Sequence, residues 1–394
     1  MDPPAATLKL IYCFAPTDAD AEAFRAGVRR AFTGGLNIAG DYLTPGDDLG
    51  FPIKEFSSAP GSGIDFAAEL DGSQHTLLVV AGGEKLLSET AWTRCLEDIA
   101  KAIQQSNGRH ALRLIDMNAR AAGRRKGFGT EFGGAVGLVI EETWEYALRP
   151  AYAALWVLHE ARALLLRGLG EQNPKLRLFL SHAKRDGLPL AAALRFQIQA
   201  LRFLEKFYDA EDLLAGKKLD EQLEAGVLDS MVLVLRTDIF DERPWCRWEV
   251  LKAEEHAKPM VIVEARTQLV HSASALPVST APWIRVPDGN VLRILAVALR
   301  EAVRVAAGQR MVHALQEAKK LSKQGVVFLP RTPSILALVR SSRRMRQQGA
   351  SNDALLLYPD PPLDTAAHEA ALSVWQSYFG KGRLLTLREY LALP

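Results

Sequence analysis

Short apolar runs recur along the chain at Leu8–Phe14, Thr76–Val80, Ala111–Ile115, Leu176–Leu180, Met231–Leu235, Met260–Val263, Val326–Leu329 and Leu355–Tyr358. Runs of this length without polar alternation fit strands buried on both faces. Between them the period changes. Leu190, Leu194, Ile198, Leu201 and Leu204 fall three and four apart, which lines one face of a helix. Regular exchange of the two patterns predicts an α/β protein with parallel sheets.

Breaks in the pattern divide the chain. Gly168–Pro174 is a Gly/Pro/Asn loop after a long helical stretch, Trp144–Arg167. Thr267–Pro282, rich in Ser, Ala and Pro, reads as a loop inside a domain, and Ser322–Gly325 precedes a new strand. The expected organisation is an N-terminal α/β domain over residues 1–140, a connecting helix and linker over 141–173, a middle domain over 174–310, and a small C-terminal α/β appendage over 311–394.

The first and middle domains also align weakly with each other. The stretch from Leu8 lines up with that from Leu176 when Asp20 is set against Asp186. Farther on, Cys95 falls on Cys246 and Asp98 on Glu249. Any two α/β units share a strand–helix rhythm, so duplication and coincidence both stay open; either way two sheets flanked by helices are expected.

A chain of 394 residues exceeds one ordinary core. With 48% apolar and 24% charged residues it has the mix of a globular protein. Lys plus Arg (48) nearly balance Asp plus Glu (46), so bulk charge does not point to a polyanion partner. Cys13, Cys95 and Cys246 lie too far apart for a disulfide framework or a zinc site, and the eight His lack metal-ligand spacing. No apolar run approaches the ~20 residues of a membrane span; Val136–Ile140, Met231–Leu235 and Met260–Val263 are all short. The opening MDPPAATLKL lacks the features of a signal peptide. A cytoplasmic protein with no membrane segment is expected.

Several known motifs fail. Ser181-His182-Ala183-Lys184 fits S-x-x-K, but no K-T-G follows. The Gly-rich patch from Gly127 to Gly134 is neither a dinucleotide fingerprint nor a P-loop. The basic run Arg340–Arg346 reads first as a solvated helix face, with nucleic-acid or nucleotide contact as the alternative.

The chemistry lies in residues 176–265. A strand ends in Phe179-Leu180-Ser181-His182, and the C-terminal ends of parallel strands are where α/β sheets bind ligands. A second expected strand, Leu204–Tyr208, leads to the loop Asp209-Ala210-Glu211-Asp212-Leu213-Leu214-Ala215-Gly216. A helix with Leu219, Leu223 and Val227 on one face comes next, then Met231–Leu235. TDIFDERPWCRWEV follows from Thr237, with Trp245-Cys246 and Glu249 three beyond the Cys.

This order resembles the Toll/interleukin-1 receptor (TIR) domain family. Ser181, Asp209, Gly216, Trp245, Cys246 and Glu249 stand where that family's boxes have their marked residues. The resemblance covers about a third of the chain. It implies a flavodoxin-like parallel sheet in the middle domain and, through the internal alignment, a degenerate TIR-like fold in the first. Bacterial members cleave NAD+ between nicotinamide and ribose, and some cyclise the product. The resemblance therefore implies an NAD+ glycohydrolase, with or without ADP-ribosyl cyclase activity, acting as a triggered anti-phage defence effector switched on by self-assembly. NAD+ is the substrate, and neither metal nor cofactor is required.

Glu249 would be the catalytic carboxylate, holding the ribose hydroxyls and stabilising positive charge at the ribose. Ser181 and His182 would border the nicotinamide and phosphate side. Asp209, Asp212 and Leu213 would form a lid, and Trp245 an apolar wall. Each has a plainer role as well: a first-turn Glu, a helix-capping Ser, a turn-shaping Asp, a core Trp, and for Cys246 a small buried hydrophobe. Two other functions compete. One is a non-enzymatic TIR scaffold that assembles with partners; the other is a nucleotide sensor whose chemistry resides on another chain. The flanking domains are the candidates for control through a partner protein or nucleotide trigger.

Overall fold

A computed structural model of the chain describes residues 6–15, 17–34, 48–57, 66–82, 86, 89–116, 136–139, 145–172, 174–204, 219–267, 281–286, 288–322, 324–360 and 362–393. It is an α/β protein in which every paired strand runs parallel. The chain divides into two compact units, Met1–Pro174 and Lys175–Pro394. No helix among the described residues is long and apolar enough to cross a membrane.

The first unit contains strands β1 (Ala6–Cys13), β2 (Ile53–Phe56), β3 (Ser73–Gly82), β4 (His110–Asp116) and β5 (Val136–Val139). Their order in the sheet is β2-β1-β3-β4-β5. Helix α1 (Ala19–Thr33) starts at Asp18, whose carboxylate accepts from the amides of Asp20 and Ala21. Helices α2 (Phe66–Asp71), α3 (Thr90–Gln105) and α4 (Arg149–Arg167) complete the unit. The stretch expected as a connector contains α4, which packs on α1 and β3 inside this unit. A buried ion pair between Arg113 of β4 and Glu160 of α4, at 2.5 Å, fixes that helix to the sheet.

The second unit opens with β6 (Leu178–His182), α5 (Leu188–Leu201) and α6 (Leu219–Leu228). It continues with β7 (Met231–Arg236), α7 (Pro244–Glu255), β8 (Met260–Glu264), β9 (Trp283–Arg285) and the long α8 (Val291–Glu317). The sheet order is β6-β7-β8-β9. Of the expected strand Leu204–Tyr208, Leu204 lies in a bend and the rest falls outside the described residues.

A second sheet in the same unit, ordered β10-β11-β12, is built from β10 (Val326–Phe328), β11 (Leu355–Tyr358) and β12 (Arg383–Thr386). It carries α9 (Ile335–Gln347), α10 (Thr365–Phe379) and α11 (Leu387–Leu391). The start of α8 is next to β7, β8 and α5, while Val312 and Leu315 near its end share a core with Leu355, Leu357 and Leu387. Arg331 locks the two sheets further. It donates two hydrogen bonds to Glu254 of α7, at 2.6 and 3.2 Å, with both side chains almost wholly buried.

Four strands were not among those expected: β2, β5, β9 and β12. All four lie at sheet edges. In β2, β9 and β12 charged residues interrupt the apolar run that marks a buried strand, whereas β5 is an apolar run of four residues containing a Gly. In β9, for instance, Trp283 and Arg285 face solvent and only Ile284 is buried.

Candidate functional site at the end of β6

The pattern L-x-x-x-L in α5 and the apolar run of β6 bring Ser181 and His182 to the C-terminal end of the first strand of the second unit. Pro244 opens α7 in the first turn, where its missing N–H costs nothing. The inward face of α7 is then Cys246, Glu249, Val250 and Ala253, spaced three, one and three apart. Glu249 thus occupies a core position in the helix's second turn, beyond the first turn where the macrodipole favours a carboxylate. It is not a solvated first-turn Glu.

Ser181 is 1% exposed and Glu249 is 8% exposed. The Ser181 hydroxyl donates to Glu249 Oε2 at 2.5 Å, a distance characteristic of a charge-assisted bond. Residues separated by 68 positions are joined because β6 and β7 pair directly, in register Ser181↔Val234, and α7 returns over the sheet from β7. The surroundings are apolar: Phe179, Ala183, Val234, Phe240 and Cys246 belong to one buried cluster with Val250. Burial, and then the nearby Glu249 carboxylate, push the Cys246 thiol up to about 12. That thiol stays protonated at neutral pH, as expected for a small buried hydrophobe rather than a nucleophile.

Trp245 is 48% exposed. The expectation that it mainly packs in the core is corrected: N2 of α7 points outward, and Trp248 is the tryptophan packed against the core. The two indoles meet edge to face at 6.0 Å. His182 is half-buried, with Nδ1 3.2 Å from the carbonyl of Leu180. Asp209, Asp212 and Leu213 lie outside the described residues. The structure therefore brings Ser181 and Glu249 together, with His182 on the same strand end and Trp245 on the same helix.

The sequence did not single out the brace beside this pair. The Asp186 carboxylate accepts from the Thr237 hydroxyl at 2.8 Å and from the Ile239 amide at 3.1 Å. It ties the loop after β6 to the loop that launches α7. At the neighbouring strand ends, Arg236 bridges Asp241 and Glu264, and Arg266 holds Glu264 through two hydrogen bonds of 2.6 and 2.9 Å. The usable signal was position: Asp186, Arg236 and Glu264 all stand at or just after the C-terminal end of an apolar run. Among the described residues no group of three His, Cys, Asp or Glu side chains is placed to hold a metal ion.

The first unit has the same β–α–β step, β3-α3-β4, where the second has β7-α7-β8. Its carboxylate is placed differently. The inward residues of α3 are Trp92, Leu96, Ile99 and Ala100, and Asp98 faces solvent. At the strand end, Cys13 of β1 holds the register position that Ser181 holds in β6.

No protein-family model matches the chain, and no curated protein resembles it at a significant level.

Proposed function

We propose that residues 174–310 form a TIR-type domain with a flavodoxin-like sheet that cleaves NAD+ between nicotinamide and ribose, with Glu249 as the catalytic carboxylate. The observation that carries this reading is the buried hydrogen bond from Ser181 to Glu249. A carboxylate on the core face of a helix is costly unless it is held. Here it is held at the strand end where α/β sheets bind ligands, by a residue of the other motif.

Nicotinamide leaves as a neutral molecule, taking the electron pair of the glycosidic bond and discharging its pyridinium. The positive charge passes to the ribose C1′. In a weakly polar wall a fixed carboxylate stabilises that charge more strongly than it does in water. Water then adds at C1′ and releases a proton, giving ADP-ribose; attack by an adenine nitrogen instead gives the cyclic product. Ser181 orients the carboxylate, and Asp186 holds the α7 loop in place.

The strand order β2-β1-β3-β4-β5 of the first unit is the flavodoxin-like order, which supports reading that unit as a TIR-like relative of the second. Exposed Asp98 favours a control role for it rather than a catalytic one. In this reading the protein is a cytoplasmic defence effector, restrained until a trigger promotes self-assembly.

A scaffold without catalysis is the second reading. The exposed Trp245, Phe196 (74%) and Trp283 (68%) favour it as contact residues of an assembly.

The test is chromatography of NAD+ products with the purified full chain, with and without extract of phage-infected cells. Wild type and Glu249→Gln are run together. Nicotinamide release by wild type alone is the expected result. Equal release by Glu249→Gln overturns the assignment of Glu249, and assembly with no NAD+ loss under any condition favours the scaffold.

A further inference from the structure

A cleft of about 1110 Å³ runs beside the second sheet of the second unit, away from Ser181 and Glu249. Its wall includes Gln324, Phe328 on β10, Arg340 and Arg344 on α9, Ser351, and Glu255 at the end of α7. Strand β10 is an edge strand that, among the described residues, pairs with β11 alone. The Gly325 carbonyl accepts from the Leu355 amide at 2.8 Å, and the Leu329 amide donates to the Leu357 carbonyl at 2.9 Å. In a parallel strand the N–H and C=O of one residue point to the same side, and the side alternates along the strand. Gly325, Val327 and Leu329 therefore address β11. Val326 and Phe328 turn their N–H and C=O to the open edge.

The charge beside this edge is one-sided. Glu255 is the carboxylate of the cleft, and it is already engaged by Arg340 at 2.6 Å and Lys252 at 3.3 Å. Arg344, which lines the cleft, is exposed and has no acidic partner among the described residues. Arg346 is turned elsewhere, over the ring of Phe379. An open row of backbone donors and acceptors beside the unneutralised Arg344 guanidinium matches a particular occupant. The ladder asks for an extended backbone, and the arginine asks for a carboxylate.

We propose that this cleft binds an extended acidic segment of a partner protein, which adds to β10 as a further strand while its Asp or Glu side chains meet Arg344. The proposal does not rest on the NAD+ reading, since it uses none of those residues. It makes the C-terminal sheet a docking module fastened to α7 through Arg331 and Glu254.

The test is fluorescence anisotropy on the full chain with a labelled peptide alternating valine and glutamate, against its valine–lysine counterpart. Val326→Pro removes an N–H that faces the open edge, which an edge strand tolerates. Arg344→Glu reverses charge on an exposed helix face and leaves the strand intact. Binding of the glutamate peptide alone is expected, weakened about tenfold or more in both variants, as loss of a strand contact or a close charge pair requires. Absence of binding by the glutamate peptide overturns the proposal, as does binding that Val326→Pro leaves unchanged. Displacement by inorganic phosphate with Val326→Pro silent assigns the cleft to a small anion instead. Self-association of the chain that is lost in Val326→Pro assigns it to a second copy. Either of these outcomes also overturns the proposal.

Discussion

Replacing Glu249 by Gln separates chemistry from folding. The Ser181 hydroxyl meets Glu249 Oε2 at 2.5 Å with both residues buried. A hydrogen bond to a charged partner contributes about 1.5–3 kcal/mol, against about 1 kcal/mol for a neutral one. Gln keeps the volume and an acceptor oxygen, so the fold loses the difference, about 1 kcal/mol. In a unit of this size that lowers the melting temperature by roughly 2–4 °C. Removing a preorganised electrostatic partner from a reacting centre costs about 10²–10³ in rate. The expected pattern is thus a small thermal shift, read by scanning fluorimetry, with nicotinamide release down about a hundredfold or more.

Ser181→Ala gives the converse. It leaves a buried carboxylate short of a donor, at about 1–3 kcal/mol, and lowers activity less than Glu249→Gln does. Wild-type turnover in Glu249→Gln refutes the electrostatic argument. A melting temperature that falls in parallel with activity reduces Glu249 to a structural part.

Three further outcomes follow from the same contacts. Arg331→Met leaves Glu254 buried and uncompensated, so urea denaturation of the full chain should register a loss of about 3–5 kcal/mol, with Arg331→Met/Glu254→Leu recovering much of it. Burial lowers the His159 imidazole to about 4, below its ordinary 6.5. The folded protein keeps that ring neutral, so its stabilising effect is complete above about pH 6.5 and fades as pH falls toward 4, by about 3 kcal/mol in all; denaturation midpoints for wild type and His159→Gln across that window should converge at low pH. Cys246, buried and with its thiol held up to about 12, should resist iodoacetamide in the native protein at neutral pH, read by mass spectrometry of peptides.

Central strands were legible because burial on both faces makes their runs mainly apolar, as in Met231–Arg236 and Met260–Glu264. Two edge strands were not: Ile53–Phe56 carries Lys54 and Glu55, and Trp283–Arg285 alternates outward and inward. Glu249 was legible as a motif residue. Its burial was not, because a helix face is defined by what the sheet places beneath it, and Ser181 comes from a strand 68 positions away. The brace at Asp186 escaped for the same reason. Its partners, a hydroxyl and a backbone amide two residues apart, have no signature until the loops after β6 and β7 are side by side.

The weak alignment of the two units becomes informative at the level of helix rotation. Val250 and Ile99 occupy matched positions and both are buried. Around them the faces differ: α7 turns Cys246 and Glu249 inward, whereas α3 turns Trp92 and Leu96 inward and leaves Asp98 in solvent. One position of rotation, about 100° on a helix, converts a held carboxylate into a hydrated one. A hydrated Asp is screened and mobile and cannot stabilise charge as a fixed, partly desolvated Glu can. Lengthening Asp98 to Glu would therefore leave it on the wrong face, with the Cys13 thiol in place of a hydroxyl donor. Both the helix register and the strand-end residue would have to change before the first unit could imitate the second, so the chemistry proposed for this chain belongs to Lys175–Pro394 alone.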